Sequence, residues 1–431
     1  MRRSVVFLLV LLILGPALLF AGGRQEAAEE PSGDLKGEVE VLHWWTSGGE
    51  AAAVEVLKEL LEAEGHTWVD FAVAGGGGDA AMTALRSRAV AGNPPTAAQV
   101  KGPQIQDWAA EGFLTNLDPV AEAQGWDNVI PEVLADVMKY EGHYVAVPVN
   151  VHRINWMWVN PDVFEAAGAE IPTTWEEFEE AAEKIEAAGY IPVAWGGQDW
   201  QEATVFETIL AGVGGTDFYV ETMVDADPEA IDSPKMIEVL ETLRMVHGYT
   251  DPGAPGRDWN MATSMVIEGD AAMQFMGDWA KGEFVAADQK ADEDYIAASA
   301  PQTAHQFLFN VDSFIMFEVD DPADKAAQRA MARLIIEPEF QEVFNTYKGS
   351  IPVRMDMDDE PFDIPAKKSM RDFAASADSG DLVPSMAHEM AVDRAVRGAI
   401  LDTITTFVNS PNISPREGAK MLADAVRGAA R

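Results

Sequence analysis

The sequence contains no cysteine among its 431 residues. This absence excludes disulfide bonds, thiolate metal ligands and cysteine nucleophiles, and it removes the residue on which the usual bacterial lipid anchor is built. A chain without disulfides has to be stabilised by its hydrophobic core alone. With 48% hydrophobic residues over this length, the composition supports two domains rather than one.

Positive charge is scarce as well. Lys and Arg number 30 against 72 Asp and Glu, so the formal net charge is −42. Such a chain repels the phosphates of nucleic acids and anionic membrane surfaces, and neither is expected as a partner. The acidic residues are dispersed along predicted helices, for example over 176–180. This distribution is typical of a solvated surface.

The usual signatures of metal sites and catalysis are missing. The seven histidines lack the spacing of a zinc site, and the acidic stretch 356–360 lacks the pattern of a calcium loop. The glycine run 75–78 is not part of a phosphate-binding loop, and no G-x-S-x-G motif occurs. We therefore expect no metal, no cofactor and no enzymatic activity. A secreted glycoside hydrolase stays open as an alternative, because its paired carboxylates are recognised by a distance and not by a motif.

The N-terminus has the pattern of an export signal. A basic start, Met1–Arg3, is followed by the apolar run Val5–Phe20 and by small residues from Ala21 onward. We predict a signal peptide over 1–21 and a flexible tether over 22–36, which is rich in Glu, Ala, Gly and Ser. The apolar run is shorter than the roughly twenty residues of a membrane span. Export to the periplasm is therefore expected, with an uncleaved membrane anchor as the alternative.

Short apolar runs alternate with helical patterns along the rest of the chain. A strand is predicted over Glu38–Trp45, a helix over Ala51–Ala63 and a second strand over Trp68–Val73. Asp79 is a predicted N-cap for a helix over Ala80–Val90. This rhythm continues beyond the middle of the chain and predicts an α/β protein with mostly parallel sheets covered by helices.

Two adjacent tryptophans, Trp44 and Trp45, stand at the end of the first predicted strand and precede Gly48, Gly49 and Glu50. Indole faces pack on the C–H faces of sugar rings, and a nearby carboxylate can accept hydrogen bonds from their hydroxyls. Neighbouring residues of a regular strand point to opposite faces, so a strand would offer only one indole. The glycines permit a turn that presents both. Whether both indoles or one contact a ligand stays open.

A resemblance to a known family rests on short segments spread in one order over the chain: Leu42–Glu50, Val100–Gln104, Val147–Arg153, Trp195–Gln198 with Trp200–Gln201, Met276–Trp279, Asn345–Pro352 and Met386–His388. Together they resemble the carbohydrate-binding proteins of bacterial ABC importers. These belong to the maltose-binding-like superfamily, also called extracellular solute-binding protein family 1. The similarity is greatest to its glucose-binding branch.

The resemblance implies a two-lobe periplasmic binding protein fold of type II. Each lobe would be a mostly parallel sheet flanked by helices, with the sugar held in the cleft between the lobes. We assign 37–148 and 277–337 to lobe one, and 149–276 and 338–431 to lobe two. The extended segment Val145–Val151 is the expected first crossing of a multi-segment hinge, where short backbone stretches absorb the dihedral changes of closure.

The same resemblance implies the ligand-binding residues. Glu50 would accept hydrogen bonds from sugar hydroxyls and Lys101 would donate to them. Trp200 and Trp279 are further candidates for the wall opposite the paired tryptophans. The predicted ligand-binding set is Trp44, Trp45, Glu50, Gly77, Lys101, Trp195, Trp259, Asp278, Asp312, Lys348 and His388.

The implied function is that of a monomeric extracytoplasmic receptor of an ABC importer. It would capture a monosaccharide, glucose or a related aldohexose, by closure of the lobes and deliver it to the membrane permease. A disaccharide stays open as the ligand. A sugar sensor that signals to a membrane receptor is an alternative role for the same binding site.

Overall fold

The computed structural model describes residues 35–75 and 78–430. The predicted signal peptide, residues 22–34 of the predicted tether and the predicted ligand-binding residue Gly77 lie outside these ranges. Within them, no helix has the length and apolar character needed to cross a membrane.

Strands and helices alternate along the described chain. The strands are β1 (Glu38–His43), β2 (Thr67–Ala72), β3 (Ala97–Val100), β4 (Lys139–Tyr140), β5 (His143–Tyr144), β6 (Ala146–Arg153), β7 (Trp156–Val159), β8 (Ile191–Val193), β9 (Ala271–Phe275), β10 (Ile296–Ser299), β11 (Phe307–Met316) and β12 (Leu382–Pro384).

The helices cover both sheets. They are α1 (Gly48–Ala63), α2 (Asp79–Val90), α3 (Pro103–Ala110), α4 (Asp118–Gln124), α5 (Trp126–Val129), α6 (Glu132–Met138), α7 (Pro161–Ala167), α8 (Trp175–Ala187), α9 (Asp199–Tyr219), α10 (Pro228–Ile231), α11 (Pro234–His247), α12 (Trp259–Ile267), α13 (Ala280–Ala286), α14 (Pro322–Ile336), α15 (Pro338–Lys348), α16 (Ile364–Ser379), α17 (Arg394–Val408) and α18 (Pro415–Ala429), with a π-helical turn after α9 (Val220–Val224).

The first sheet has six strands, in the order β12-β11-β3-β1-β2, with β6 also paired to β11. Strand β1 pairs in parallel with β2 and β3, and β11 pairs in parallel with β12. The pairings of β11 with β3 and β6 are antiparallel. The parallel β1–β2–β3 unit is the one whose strand and helix rhythm the sequence predicts.

The second sheet has four strands, in the order β10-β7-β9-β8. Only β8 and β9 are parallel, whereas β7 pairs antiparallel with both β9 and β10. The expectation of mostly parallel strands therefore does not describe this sheet. Strand β7 enters it directly from β6, with Ile154 and Asn155 between them.

Two hydrophobic cores accompany the two sheets, and we call each sheet with its core a lobe. The core of the first lobe includes Trp45 and Phe314. That of the second includes Trp158, Phe206 and Phe275. Each core is continuous because the buried faces of its helices pack on one sheet.

The lobe boundaries in the structure differ from the expected ones. Phe284 and Tyr295 pack in the second core, and β10 pairs within the second sheet, although 277–337 was expected in the first lobe. Phe340 and Phe344 of α15 pack in the first core, although 338–431 was expected in the second. These assignments depend on contacts between distant segments, which local patterns do not encode.

The predicted ends of helices agree more closely with the structure than the predicted lobe boundaries do. Thr174 accepts a hydrogen bond from the Glu177 backbone N–H, and Glu177 accepts one from the Thr174 backbone N–H, so the two residues form a capping box at the start of α8. The predicted N-cap Asp79 is instead the first residue of α2. Gly78 stands at the N-cap with a φ of 93°, a left-handed conformation that favours glycine.

Candidate functional site

A cavity of about 330 Å³ lies at the carboxyl end of β1, where residues of both lobes meet. This volume falls near the lower end of the roughly 300–1,000 Å³ that small-molecule sites occupy. Its walls combine indole rings with buried charges. The lining residues are Trp44, Trp45, Thr46, Ser47, Glu50, Ala74, Gly75, Lys101, His152, Trp200, Asp258, Trp259, Asn260, Trp279, Asn310, Asp312, Lys348 and His388.

The structure brings most of the predicted ligand-binding residues together at this cavity, but not all of them. Trp195 lies in the second core, with its ring centroid 5.2 Å from that of His247. Trp200, which stands five residues later in the first turn of α9, lines the cavity instead. Asp278 is buried, does not line the cavity, and accepts a hydrogen bond from the Arg153 backbone N–H at 2.9 Å. Trp195 and Asp278 are therefore not wall residues.

Both adjacent tryptophans line the cavity, and their surroundings differ. Trp45 is 1% exposed; its ring centroid lies 5.7 Å from that of Phe314, edge-on, and 5.3 Å from that of the tilted Phe344 ring, so it belongs to the first core as well. The Lys101 Nζ lies 5.1 Å from the centroid of the Trp44 ring. Strand β1 ends at His43, so the alternation of a regular strand does not apply to the two indoles.

The second lobe contributes an aromatic wall made of Trp200, Trp259, Trp279 and His388. The His388 ring lies 4.9 Å from Trp279, and Trp200 lies 6.1 Å from Trp279. The Trp279 Nε1 is buried and has no hydrogen-bond partner among the described residues. An unpaired buried donor is costly unless a ligand or water pairs with it.

A buried ion pair joins two helix ends at the cavity. Glu50 lies in the first turn of α1 and Lys348 is the last residue of α15. The Lys348 Nζ donates to the Glu50 Oε1 at 3.1 Å. An anion at a helix N-terminus and a cation at a C-terminus are each favoured by the helix dipole. The pair therefore holds a charged donor and a charged acceptor side by side in the wall.

Lys101 follows β3 and is 3% exposed. Among the described residues it has no hydrogen-bond or ion-pair partner, although Glu389 and Asp312 contribute favourable charge. Burial lowers the pKa of Lys101, and these carboxylates oppose the change without cancelling it. A buried ammonium without a direct partner is a strong hydrogen-bond donor for a ligand.

The buried His152 connects two carboxylates: Asp312, which lines the cavity, and Asp278, which does not. We call Asp278, His152 and Asp312 the histidine bridge. The His152 Nδ1 bonds to the Asp278 Oδ1, and the His152 Nε2 lies 3.0 Å from the Asp312 Oδ2. Burial opposes the charge on His152, but Asp278 and Asp312 outweigh it and raise the pKa of the imidazole. The two carboxylates thus favour the protonated form of His152, which lies between them.

Asp312 is ionised in this arrangement. Burial by itself would raise its pKa, but the hydrogen bond and charge of His152 bring the pKa well below its usual range, and Lys348 and Lys101 add to the effect. The Gln99 Nε2 also donates to the Asp312 Oδ1 at 3.2 Å. Asp312 is therefore a fixed hydrogen-bond acceptor at the cavity.

Several wall residues were not predicted, and Asn310 is the clearest of them. It precedes Asp312 by two positions on β11, so both side chains lie on the same face of the strand. Asn310 is buried, and its Oδ1 has no partner among the described residues. The signal that could have found it is this i, i+2 pair of polar residues in a mostly apolar strand.

The family model of the bacterial extracellular solute-binding proteins matches residues 45–328. The chain belongs to this family. The solute-binding protein is 46% identical over 414 residues to a probable sugar-binding periplasmic protein of Rhizobium meliloti (strain 1021), covering 96% of this chain and 97% of the relative. A protein of the same description from Brucella suis biovar 1 is 47% identical over 395 residues, covering 91% and 93%.

Solved structures show the same fold. The bacterial solute receptor AcbH, which has an exclusive preference for β-D-galactopyranose, superimposes with a TM-score of 0.77 at 20% identity over 92% of this chain and all of that one (100%). A maltose-bound MalE3 from T. maritima gives a TM-score of 0.73 at 17% identity, covering 91% and 99%. The predicted two-lobe α/β fold is confirmed, and so is the family.

The described part of the solute-binding protein contains no group of three or more His, Asp or Glu side chains that could hold a metal ion. Its buried charges are instead arranged as hydrogen-bonding groups around the cavity. Glu50, Asp312 and Asn310 offer acceptors, and Lys101 and Lys348 offer donors. Such a set can bind a small polyhydroxylated molecule.

Proposed function

We propose that this solute-binding protein is the extracytoplasmic receptor of an ABC importer for a monosaccharide, glucose or a related aldohexose. The observation that carries the proposal is the cavity of about 330 Å³ between two indole-bearing walls, with buried lysines and carboxylates around it. The cavity's size favours a single sugar ring over a longer saccharide. The names of the Rhizobium and Brucella relatives support a sugar as the ligand.

The chemistry of the walls suits a hexose. Trp44 and Trp45 from one lobe, and Trp200 and Trp279 from the other, can pack on the C–H faces of a pyranose ring. Glu50, Lys101, Asp312 and Lys348 would pair with its hydroxyls. Because charge-assisted hydrogen bonds in a closed cavity are strong, a wrong hydroxyl pattern would leave a buried charge unpaired.

Sugar binding would act by a population shift. The walls come from both lobes, so a ligand that contacts both of them binds the closed arrangement better and favours it. We propose that the closed arrangement presents the surface that the membrane permease recognises, and that the receptor works as a monomer in the periplasm. Binding and closure, without bond cleavage, are the whole of its activity.

Titration calorimetry with D-glucose, D-galactose, D-mannose and maltose tests the proposal. We expect stoichiometric binding of at least one of the hexoses, with no products formed on long incubation. Release of monosaccharide from maltose would favour a glycoside hydrolase. Absence of binding to every sugar would contradict the proposed receptor function.

Uptake of the labelled sugar by a deletion strain tests the transport role. We expect uptake at low sugar concentration to be lost and to return when the gene is restored. Normal uptake combined with lost signalling or chemotaxis would contradict transport and favour a sensor.

Replacing Lys101 with methionine should weaken hexose binding roughly 10- to 100-fold, because the hydrogen bond of a charged group contributes about 1.5–3 kcal/mol. Methionine keeps the length and apolar stem of the side chain, and the thermal midpoint should not fall, since a buried cation without a direct partner is removed. Calorimetry measures the affinity. The control is Lys420→Met, which removes an exposed lysine of α18; equal affinity of both variants would contradict the role of Lys101.

A further inference from the structure

The hydrogen bonds around His388 determine which of its ring nitrogens carries a proton. The Thr204 Oγ1 donates to the Trp200 carbonyl oxygen, four residues earlier in α9, at 2.8 Å. The His388 Nε2 lies 3.0 Å from the same Thr204 Oγ1. A hydroxyl group has a single proton to donate. We assign the Thr204 proton to the shorter, helical bond with Trp200, and the proton between Thr204 and His388 then comes from the Nε2.

The His388 ring is neutral in this environment. Burial lowers the pKa of His388 well below its usual range, and the positive charges of Lys101, Arg397 and His152 lower it further, against a smaller opposing effect of Asp312. A neutral imidazole with a proton on Nε2 has a free lone pair on Nδ1. The Nδ1 has no partner among the described residues, and the ring lines the cavity.

The backbone around His388 is also held in place. The His388 N–H donates to the Ser385 Oγ at 3.2 Å, and the Ser385 Oγ donates to the buried Glu207 Oε1 at 2.5 Å. The ring itself packs between Trp200 and Trp279. The orientation of the free nitrogen is therefore set before any ligand enters, which is the condition for a specific polar contact.

We propose that His388 binds the ligand as a hydrogen-bond acceptor through Nδ1, and that Thr204 is the positioning residue that fixes this tautomer. The inference rests on the proposed function as a hexose receptor and adds a chemical requirement to it. The ligand must present a hydroxyl group whose proton points to His388. A sugar with hydrogen, fluorine or an O-methyl group at that position lacks the proton and is rejected.

The need for a donating hydroxyl at His388 complements the charged groups of the wall. Lys101 and Lys348 only donate, so a hydroxyl that pairs with either of them accepts and keeps its own proton. That proton needs an acceptor, and His388, Asp312 and Glu50 provide such acceptors. Chains of donors and acceptors strengthen one another in a site of low dielectric constant.

The tautomer is measured without any sugar. Two-bond ¹H–¹⁵N correlation spectra of histidine-labelled protein separate a protonated ring nitrogen from a bare one, and His388→Gln assigns the signal. We expect a neutral His388 with the proton on Nε2 in the wild type, and a shift toward the Nδ1-protonated form in Thr204→Val. The matched control is Thr208→Val, because Thr208 is also buried and donates to the Thr204 carbonyl at 2.8 Å rather than bonding to His388. A proton on Nδ1 in the wild type would overturn the inference.

The ligand requirement is measured with deoxy and deoxyfluoro analogues of the hexose that binds. The hydroxyl facing His388 is the one whose removal costs affinity in the wild type but not in His388→Ala. At that position the fluoro analogue should bind as weakly as the deoxy analogue, because fluorine accepts but does not donate. Parental affinity of the fluoro analogue would overturn the acceptor role.

The positioning role of Thr204 is tested separately by measuring hexose affinity. We expect Thr204→Val to weaken hexose binding about tenfold, the effect of one misdirected hydrogen bond, with Thr204→Ser restoring it and Thr208→Val leaving it unchanged. Equal losses in Thr204→Val and Thr208→Val would show a merely structural role and overturn the assignment. If no hexose binds the wild type, the proposed function fails, whereas the tautomer spectra still decide the state of His388.

Discussion

Replacing His152 with leucine should lower the free energy of unfolding by about 3–5 kcal/mol, the loss expected when one partner of a buried ion pair is removed. The substitution leaves Asp278 and Asp312 buried without their shared cation. The thermal midpoint and the urea transition, followed by circular dichroism, measure the effect. The matched control is His143→Leu, whose imidazole pairs with Asp118 at 2.7 Å on an exposed part of the surface. That pair should contribute at most about 1 kcal/mol.

The contribution of the histidine bridge to wild-type stability depends on pH with a definite sign. The raised pKa of His152 gives the folded state stability that is complete below the unfolded value of 6.5 and is lost as the pH rises through the folded pKa. The lowered pKa of Asp312 gives stability that is present above 3.8 and is lost as the pH falls through its folded pKa. The histidine bridge therefore contributes most between about pH 4 and pH 6.5.

In His152→Leu, Asp312 loses the partner that lowers its pKa, so burial favours its protonated form. The stability deficit against the wild type should therefore be smaller at about pH 3, where Asp312 no longer favours the folded wild type, than at about pH 5, where the histidine bridge contributes most. A deficit below about 1 kcal/mol, or one equal to that of His143→Leu, would contradict the ion-paired description of the bridge.

Replacing Glu207 with leucine should destabilise the protein by about 2–6 kcal/mol, because it leaves the buried Ser385 hydroxyl and the Ala387 backbone N–H without their acceptor, at about 1–3 kcal/mol each. The Glu207 carboxylate accepts hydrogen bonds from the Tyr219 hydroxyl at 2.9 Å, the Ser385 hydroxyl at 2.5 Å, and the backbone N–H groups of Met386 at 2.9 Å and Ala387 at 3.1 Å. The same contacts hold the segment that ends at His388. Hexose affinity should therefore fall together with stability, as calorimetry and thermal unfolding would show.

Glu207→Gln is the matched variant. Burial raises the pKa of Glu207 to about 7 despite the hydrogen bonds that it accepts, so the amide resembles the partly protonated acid. The carbonyl oxygen of the glutamine amide can still accept hydrogen bonds from the donors that face one of the two carboxylate oxygens of Glu207. We expect most of the stability and affinity to be kept. If Glu207→Gln were as damaging as Glu207→Leu, the full charge and not the hydrogen-bonded shape would be the important property.

Local patterns predicted the elements around the site well. The β1–α1–β2–α2 succession was predicted within a few residues of its observed bounds, because alternation, helical spacing and capping involve residues close together in the chain. The parallel pairing of β1 with β2 and β3 follows from that succession.

The candidate site was predicted only in part. Trp195 and Trp200 have equally suitable side chains, and only the packing of Trp195 on His247 assigns it to the core. Asn310 has only its i, i+2 spacing from Asp312 as a sequence signal, and its place at the cavity depends on the pairing of β11 with β6. The lobe boundaries likewise depended on the pairing of β10 and the packing of α15.

The sequence by itself determined the absence of thiol chemistry, the strong negative charge, the succession of strands and helices, and the motifs that identify the family. Tertiary structure alone decided how the charges of the site are paired. His152 meets Asp278 and Asp312 from 126 and 160 positions away, and Thr204 meets His388 from 184. The protonation of a buried group depends on such partners and on the loss of solvent. Both are properties of the folded chain.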